Sequence, residues 1–213
     1  MTATATLHCR CGSVEARVTN ASTTTVNRCL CYCDDCQAFL HHLDRADLLD
    51  AAGGSDIVQV APASLTFSRG TEHIVGLRLT PKGLYRWYAD CCKTPLGNTL
   101  TPALPFVGIV TGVFEGGVRG ADEAFGKPVG GSFGEFAIGV PPEGSIGVNL
   151  RIILRTLRLV ATWRLRGRTW PHPFFERATR APSRPVNILP RAEREALRKL
   201  CGPRPAVPGA QTS

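Results

Sequence analysis

The sequence lacks the features that mark secreted and membrane-spanning chains. Met1 to Thr6 contain neither a basic region nor an apolar run, so no secretory signal is expected. The most apolar stretch, residues 150–165, is interrupted by four arginines and is not expected to cross a membrane. We therefore predict a cytoplasmic protein. In that reducing compartment clustered cysteines more often bind metal or take part in catalysis than form disulfides.

Acidic residues are scarce in the last third of the chain. Residues 151–213 hold 14 Lys/Arg and 3 Asp/Glu, whereas residues 1–150 hold 11 and 14. The net charge of +8 therefore comes from the last third. Such a segment is either a solvated surface or a binding surface for nucleic acid or an anionic membrane. For the basic helix predicted over 150–165, packing against the rest of the protein is the favoured interpretation.

Cysteine, in contrast, is abundant and clustered. Eight of the nine cysteines fall into three groups, and Cys201 stands apart. The groups are Cys9 and Cys11; Cys29, Cys31, Cys33 and Cys36; and Cys91 and Cys92. Zinc accepts four thiolates, and short spacings such as Cys-x-Cys allow two sulfurs to reach one ion. The grouping therefore predicts zinc binding.

Two zinc sites of different character can be built from these thiols. Cys9 and Cys11, together with the downstream pair Cys91 and Cys92, would close a four-thiolate structural site. Cys31, Cys33 and Cys36 would supply three ligands and leave one position open, the usual arrangement of a catalytic zinc. The alternative is that both sites bind metal without catalysing a reaction.

The order of the motifs resembles the glutathione-dependent formaldehyde-activating enzyme / centromere protein V family. The motifs are Cys9-x-Cys11-Gly12-x-Val14, Cys31-x-Cys33-x-x-Cys36-Gln37 and Cys92-Lys93-Thr94-Pro95-Leu96. The resemblance covers roughly residues 5–100. It implies a β-tent fold with one structural zinc and, in enzymatic members, a catalytic zinc at the second motif. There the thiol of glutathione combines with formaldehyde, which implies a zinc-dependent carbon–sulfur lyase or thiol–aldehyde condensing enzyme with Cys31, Cys33 and Cys36 as catalytic ligands.

The third motif departs from the family pattern Cys-x-x-Cys-Gly. Ala89 stands where the first cysteine belongs, and Lys93 stands where the glycine belongs. Cys92 is the preferred ligand and Cys91 the second choice, with His8 as a substitute. Because neighbouring strand residues point to opposite faces, Cys91 and Cys92 can share an ion only across a kink. The substrate and the oligomeric state stay open.

The pattern of short strands predicts a mainly β fold, a small antiparallel domain with a C-terminal helical extension. The resemblance implies that this domain is zinc-stapled and β-tent-like. We place the zinc-binding domain at residues 5–104, a Gly-rich strand and loop segment at 105–149, a basic helical extension at 150–201 and a flexible tail at 202–213. A further helix is predicted over 38–52.

Several polar side chains lie near the central cysteines in the sequence. Asp34 and Asp35 are expected to be solvated, although either could relay a proton, and Arg86 is expected on the exposed face of a strand. His41 or His42 could face the site from the following helix. If no reaction takes place there, the chain is instead a zinc module that binds an anionic partner through its basic last third.

Overall fold

The structure, a computed structural model, describes residues 3–203 and shows a mainly β protein with a C-terminal helix, as predicted. The part of the predicted tail beyond residue 203 lies outside the described residues. The strands are, in chain order, β1 (Ala3–His8), β2 (Glu15–Ala21), β3 (Asn27–Cys31), β4 (Ser55–Val60), β5 (Leu65–Arg69), β6 (Ile74–Arg78), β7 (Tyr85–Ala89), β8 (Thr94–Thr99), β9 (Val107–Val110), β10 (Gly131–Ser132) and β11 (Val186–Ile188).

The helices are α1 (Asp34–His42), α2 (Gly117–Phe125), α3 (Leu150–Leu165) and α4 (Arg191–Arg198). The helix predicted over 150–165 has the predicted bounds, and the side chain of Asn149 caps its first turn. The helix predicted over 38–52 is wrong, because α1 begins earlier and ends at residue 42. Asp44 then adopts a left-handed conformation with φ 53°, which stops the helix.

The strands form two sheets. β1, β2 and β5 make an antiparallel three-stranded sheet in the order β1-β2-β5. The larger sheet has the order β10-β3-β4-β9-β8-β7-β6-β11, in which the short edge strands β10 and β11 are parallel to their neighbours. This order places the three cysteine groups at the ends of β1, β3 and β7.

The hydrophobic core draws on distant parts of the chain. The side chain of Trp87 on β7 is fully buried and stacks on the ring of Phe174, with 4.8 Å between the ring centroids. Phe175 packs edge-on against the ring of Trp87. The segment that carries Phe174 and Phe175 is interrupted by Pro171 and Pro173, yet it fills the core against the large sheet.

The Gly-rich segment is more structured than the predicted strand followed by loop. After β9 the chain forms α2, and the guanidinium of Arg28 on β3 anchors that helix. Its Nη1 donates to Asp122 Oδ1 at 2.7 Å and to the carbonyl oxygen of Gly126 at 2.7 Å. The prediction of a loop was wrong here because the stabilising partner lies about ninety residues away in the sequence. None of the helices within residues 3–203 is long and apolar enough to cross a membrane.

Candidate metal centres

The side chains of Cys9, Cys11, Cys91 and Cys92 come together as one group, the four-sulfur cluster, in which all Sγ atoms lie within 4.8 Å of one another. The Cys9–Cys11 and Cys11–Cys91 sulfurs are 3.5 and 3.4 Å apart, and the Cys9–Cys91 and Cys91–Cys92 sulfurs are 4.0 and 3.9 Å apart. A disulfide requires about 2.05 Å, so these are free thiols. Four sulfurs about 2.3 Å from a zinc ion would be separated by roughly 3.8 Å. The cluster therefore fits a tetrahedral zinc.

The first two sulfurs are positioned by the turn between β1 and β2. The N–H of Gly12 donates to the carbonyl oxygen of Cys9 at 2.8 Å, and Gly12 has a φ of 78° that suits glycine. The N–H of Val14 donates to Cys9 Sγ at 3.2 Å. This turn points both sulfurs to one side, and a backbone N–H donor stabilises the thiolate that metal binding needs.

The other two sulfurs lie in the tight turn between β7 and β8. Residues 90–93 form that turn, so Cys91 and Cys92 are not in an extended strand and both reach the cluster. Lys93 has a φ of 57°, the left-handed conformation that glycine adopts most easily. The kink that both sulfurs require to share one ion is therefore present, at the position where the pattern of the resembled family has glycine. His8 is exposed and lies outside the four-sulfur cluster.

The left-handed conformation of Lys93 gives a prediction for stability. Replacing Lys93 by glycine should stabilise the protein by about 1 kcal/mol relative to replacement by alanine, because only glycine adopts this conformation without strain. Both variants lose the exposed ion pair between Lys93 and Asp90, so that pair cancels in the comparison. Chemical denaturation of the two zinc-loaded variants measures the difference. Equal stabilities would contradict the expected strain.

The four-sulfur cluster joins thiols of unequal acidity. Hydrogen bonding with Ser13 lowers the pKa of exposed Cys11 to about 6. Burial raises the pKa of Cys9 above its usual value, although its backbone hydrogen bond with Val14 opposes that effect. Cys11 therefore supplies a thiolate most readily at neutral pH, and Cys9 forms the buried side of the cluster.

The side chains of Cys31, Cys33 and Cys36 form a second group, the three-sulfur cluster, again with all Sγ atoms within 4.8 Å. The Cys31–Cys33 sulfurs are 3.3 Å apart, and the Cys31–Cys36 sulfurs are 3.6 Å apart. These separations also suit thiolates around one zinc ion. Within residues 3–203, no fourth Cys, His, Asp or Glu ligand atom joins this group.

The three sulfurs converge because a strand changes directly into a helix. Cys31 ends β3, Cys33 is the N-cap residue of α1, and Cys36 lies in its first turn. The N–H groups of Cys36 and Gln37 both donate to the carbonyl oxygen of Cys33, at 3.0 and 3.2 Å. The positive end of the helix dipole favours thiolates at this position. Tyr32 points the other way, and its hydroxyl donates to Asp50 at 2.9 Å.

Arg86 lies against the three-sulfur cluster, and the prediction that it is exposed was wrong. The residue is 2% exposed and its guanidinium lies 5.2 Å from the ring centroid of Phe39 on α1. Its positive charge acts on Cys36 and Cys33, and its Nη1 has no hydrogen-bond partner among the described residues. No carboxylate of the described chain forms an ion pair with Arg86. A buried cation without a carboxylate partner favours negative charge on a neighbouring thiol.

The acidities of the cluster agree with that arrangement. Hydrogen bonding with Cys31 and with Cys33, together with the guanidinium of Arg86, holds the pKa of Cys36 well below its usual value. Hydrogen bonding with Cys33 and with Cys36 raises the pKa of Cys31 instead. Burial lowers the pKa of Arg86, but the negative charge at Cys36 and Cys33 outweighs it and leaves the pKa raised. Cys36 is therefore the first thiolate of the three.

The carboxylates inside the ligand loop are engaged rather than freely solvated, so that expectation was wrong. Arg198 at the end of α4 pairs with Asp34 and, at 2.7 Å, with Asp35. The N–H of Gly202 donates to Gln37 Oε1 at 2.9 Å. We call the segment from Arg198 to Gly202 the cover, because it lies over the ligand loop. The sequence alone did not indicate it, since Arg198 is more than 160 residues away from the loop.

The remaining polar residues near the cysteines have other partners. The ring of His42 pairs with Glu193 on α4 at 2.9 Å, and His41 Nε2 is buried without a hydrogen-bond partner in the described part of the chain. Neither histidine belongs to the three-sulfur cluster. Cys29 is a buried strand residue outside both clusters, and burial raises its pKa to about 12. Cys201 contacts the carbonyl oxygen of Asp34 and lies outside both clusters as well.

Fold and sites together define a mainly β protein with two cysteine clusters that could hold metal ions. Residues 1–184 match the model of a family of unknown function, DUF6151, and the chain belongs to that family. No curated protein matches the chain. A crystal structure of a Rhodobacter sphaeroides protein is similar at 17% identity and a TM-score of 0.36, over 52% of this chain and 88% of that one. A similarity at that level carries no argument about fold or function.

Proposed function

We propose that the protein binds two zinc ions and uses the second in thiol–aldehyde chemistry. The four-sulfur cluster would hold a structural ion, and Cys31, Cys33 and Cys36 would hold an ion with one position left for an incoming thiol. The observation that carries the proposal is the convergence of three sulfurs without a fourth protein ligand beside the buried Arg86. The motif order supports the finer assignment, a zinc-dependent carbon–sulfur lyase or condensing enzyme like the glutathione-dependent formaldehyde-activating family.

Each residue near the three-sulfur cluster has a definable role in this proposal. A bound zinc would supply a Lewis acid that keeps an incoming thiol, such as that of glutathione, in its nucleophilic thiolate form. The start of α1 fixes the positions of Cys33 and Cys36. Arg86 balances the negative charge of the sulfurs, and Arg198 holds Asp34 and Asp35 in place.

The free thiols support a reducing location. None of the nine cysteines forms a disulfide, and all of them lie within residues 3–203. Two of them, Cys11 and Cys91, are exposed and without metal would be oxidised outside a reducing compartment. We therefore keep the cytoplasm as the proposed location.

Replacing Cys33 by serine tests the enzymatic proposal. We expect the variant to lose one of two zinc ions and to lose turnover of a glutathione–formaldehyde mixture, because two thiolates and a hydroxyl hold zinc poorly. The four-sulfur cluster is untouched, so the far-UV circular dichroism spectrum should not change. Cys201→Ser is the matched control, since Cys201 is partly buried but outside both clusters. Turnover that persists in Cys33→Ser would refute the enzymatic assignment.

Arg86 gives a second prediction at the same cluster. Arg86→Met preserves the length of the side chain but removes the positive charge beside Cys36. We expect zinc affinity of the three-sulfur cluster to fall about 10–100-fold, as it does when residues behind metal ligands are replaced. Chelator competition on the zinc-loaded protein measures the affinity. In Arg78→Met, whose guanidinium lies over Tyr85, the affinity should be unchanged. An equal loss in both variants would show that the charge of Arg86 has no specific role.

A zinc module without catalysis is the second candidate function, and the cover over the ligand loop favours it. Cys36 is buried, and the segment from Arg198 to Gly202 contacts the loop from outside. If the cover stays closed, the three-sulfur cluster has only a structural role. Binding of two zinc ions without any reaction of glutathione with formaldehyde would support this candidate over the enzyme.

A further inference from the structure

Helix α3 has two apolar faces, and only one of them packs against the rest of the protein. Ile152, Leu159 and Trp163 are buried. A second set of large apolar residues projects into solvent; Leu154 is 57%, Leu157 60% and Leu165 88% exposed. We call this second set the outer stripe, and it consists of Leu150, Ile153, Leu154, Leu157 and Leu165.

The outer stripe runs along one side of the helix. An α-helix has about 3.6 residues per turn, so residues 150, 153, 154 and 157 fall on the same side. Residues 152, 159 and 163 fall on the opposite side. Such spacing in the buried set is explained by packing against the β-strands. The same spacing in the exposed set has no packing partner within residues 3–203.

Arginines accompany the outer stripe, and acidic residues do not. Arg151, Arg158 and Arg164 are exposed, and α3 contains no Asp or Glu. Arg151 and Arg158 lie beside the stripe on one flank, and both line a shallow depression of about 610 Å³ next to Leu154. Arg155 is turned back onto the protein, where it donates to the carbonyl oxygen of Val26 at 2.9 Å. Arg164 lies toward the end of the helix, and its Nη1 donates to the carbonyl oxygen of Ala103 at 3.0 Å. The helix therefore presents leucines to solvent with cationic side chains along one flank.

The apolar surface continues into the segment before the helix. Ile146 and Val148 are 69% and 58% exposed, and they precede Leu150 at alternate positions in the chain. Large apolar patches on a protein surface mark contact sites for another apolar surface. The partner must be apolar where it meets the leucines and negatively charged beside them, because Arg151 and Arg158 lie along the flank of the stripe. A bilayer with anionic headgroups has both properties.

We infer that α3 docks on the surface of an anionic membrane, with the outer stripe among the acyl chains and the arginines on the headgroups. The helix would lie in the plane of the interface. This inference does not depend on the zinc chemistry, because neither cysteine cluster includes a residue of α3. The favoured interpretation, packing of this helix against the rest of the protein, accounts for its buried face, and the inference concerns the exposed face.

Vesicle flotation with the full-length zinc-loaded protein tests the inference. The protein should float with vesicles of phosphatidylcholine and phosphatidylserine and remain unbound with phosphatidylcholine alone. In the double variant Leu154→Ser, Leu157→Ser, the affinity for these vesicles should fall at least tenfold, so most of the bound fraction should be lost. Both residues are exposed, so folding should be retained. The control Ile188→Ser, Leu200→Ser removes two equally apolar side chains, each 53% exposed, elsewhere on the surface, and should float like the wild type.

Three other outcomes would overturn the inference. Flotation that the leucine substitutions do not reduce would show that charge alone binds the protein. A stable dimer in light scattering that the Leu154→Ser, Leu157→Ser variant dissociates, without vesicle binding, would assign the outer stripe to a second copy of the chain. Tight, salt-sensitive binding to RNA that needs the arginines but not the leucines, without flotation, would assign the surface to nucleic acid.

Discussion

Replacing Cys9 by serine is expected to remove the structural zinc and to lower the stability of the protein by more than about 4 kcal/mol, because structural zinc sites contribute strongly to folding. Cys9 is fully buried and its sulfur accepts the N–H of Val14. The ion would join the β1–β2 turn to the β7–β8 turn, about eighty residues later. Without the ion, the free energy of zinc binding no longer stabilises the folded state, and the serine hydroxyl at position 9 remains buried.

Chemical denaturation in saturating zinc, read together with metal content, measures this effect. Cys201→Ser provides the control, because that thiol is outside both clusters and its loss should leave the metal content unchanged. A Cys9→Ser variant that retains both ions and wild-type stability would show that the four-sulfur cluster has no structural role. Loss of zinc without loss of stability would show that the β-strands need no metal connection between these two turns.

The second large effect is expected at Arg28. Arg28→Met should destabilise the folded protein by about 3–5 kcal/mol, the usual cost of removing one partner from a buried ion pair. The guanidinium is 1% exposed, and it pairs with Asp56 at 2.6 Å and with Asp122 at 2.7 Å. Methionine fills similar space but leaves Asp56 without its cation. The same substitution also releases the end of α2 at Gly126.

An exposed arginine pair is the matched control for Arg28. Arg191→Met removes a pair with Glu195 on α4, where the arginine side chain is 84% exposed, and should change stability by less than about 1 kcal/mol. Denaturant unfolding of both variants in saturating zinc gives the comparison. Similar small effects would mean that the buried network around Arg28 contributes no more than a surface pair.

The sequence predicted the grouping of Cys31, Cys33 and Cys36 because local spacing decides it. Cys31, Cys33 and Cys36 are close in the chain, and a strand followed by a helix suffices to bring their sulfurs together. The open choice between Cys91 and Cys92 depended on the backbone of residues 90–93. Nothing in local propensity showed that Lys93 would take the left-handed conformation, so the kink that admits both sulfurs could be stated only as a condition.

Long-range partners were beyond prediction from one sequence. Arg86 alternates with apolar neighbours and looks like an exposed strand residue, yet the approach of α1 buries it against Cys36. Arg28 precedes Cys29 in the sequence, but its role as a buried ion-pair partner depends on Asp56 and Asp122, which are distant in the chain. Phe174 follows a proline-rich stretch that resembles a loop, and it enters the core because Trp87 provides a flat apolar surface.

Native mass spectrometry of the folded protein tests the central claim most directly. We expect two zinc ions per chain, with one lost in Cys33→Ser and the other lost in Cys9→Ser. That result would assign one ion to each cluster. A wild-type chain that is fully folded in excess zinc but carries no ion, or one ion that Cys33→Ser does not affect, would contradict the account of two metal centres.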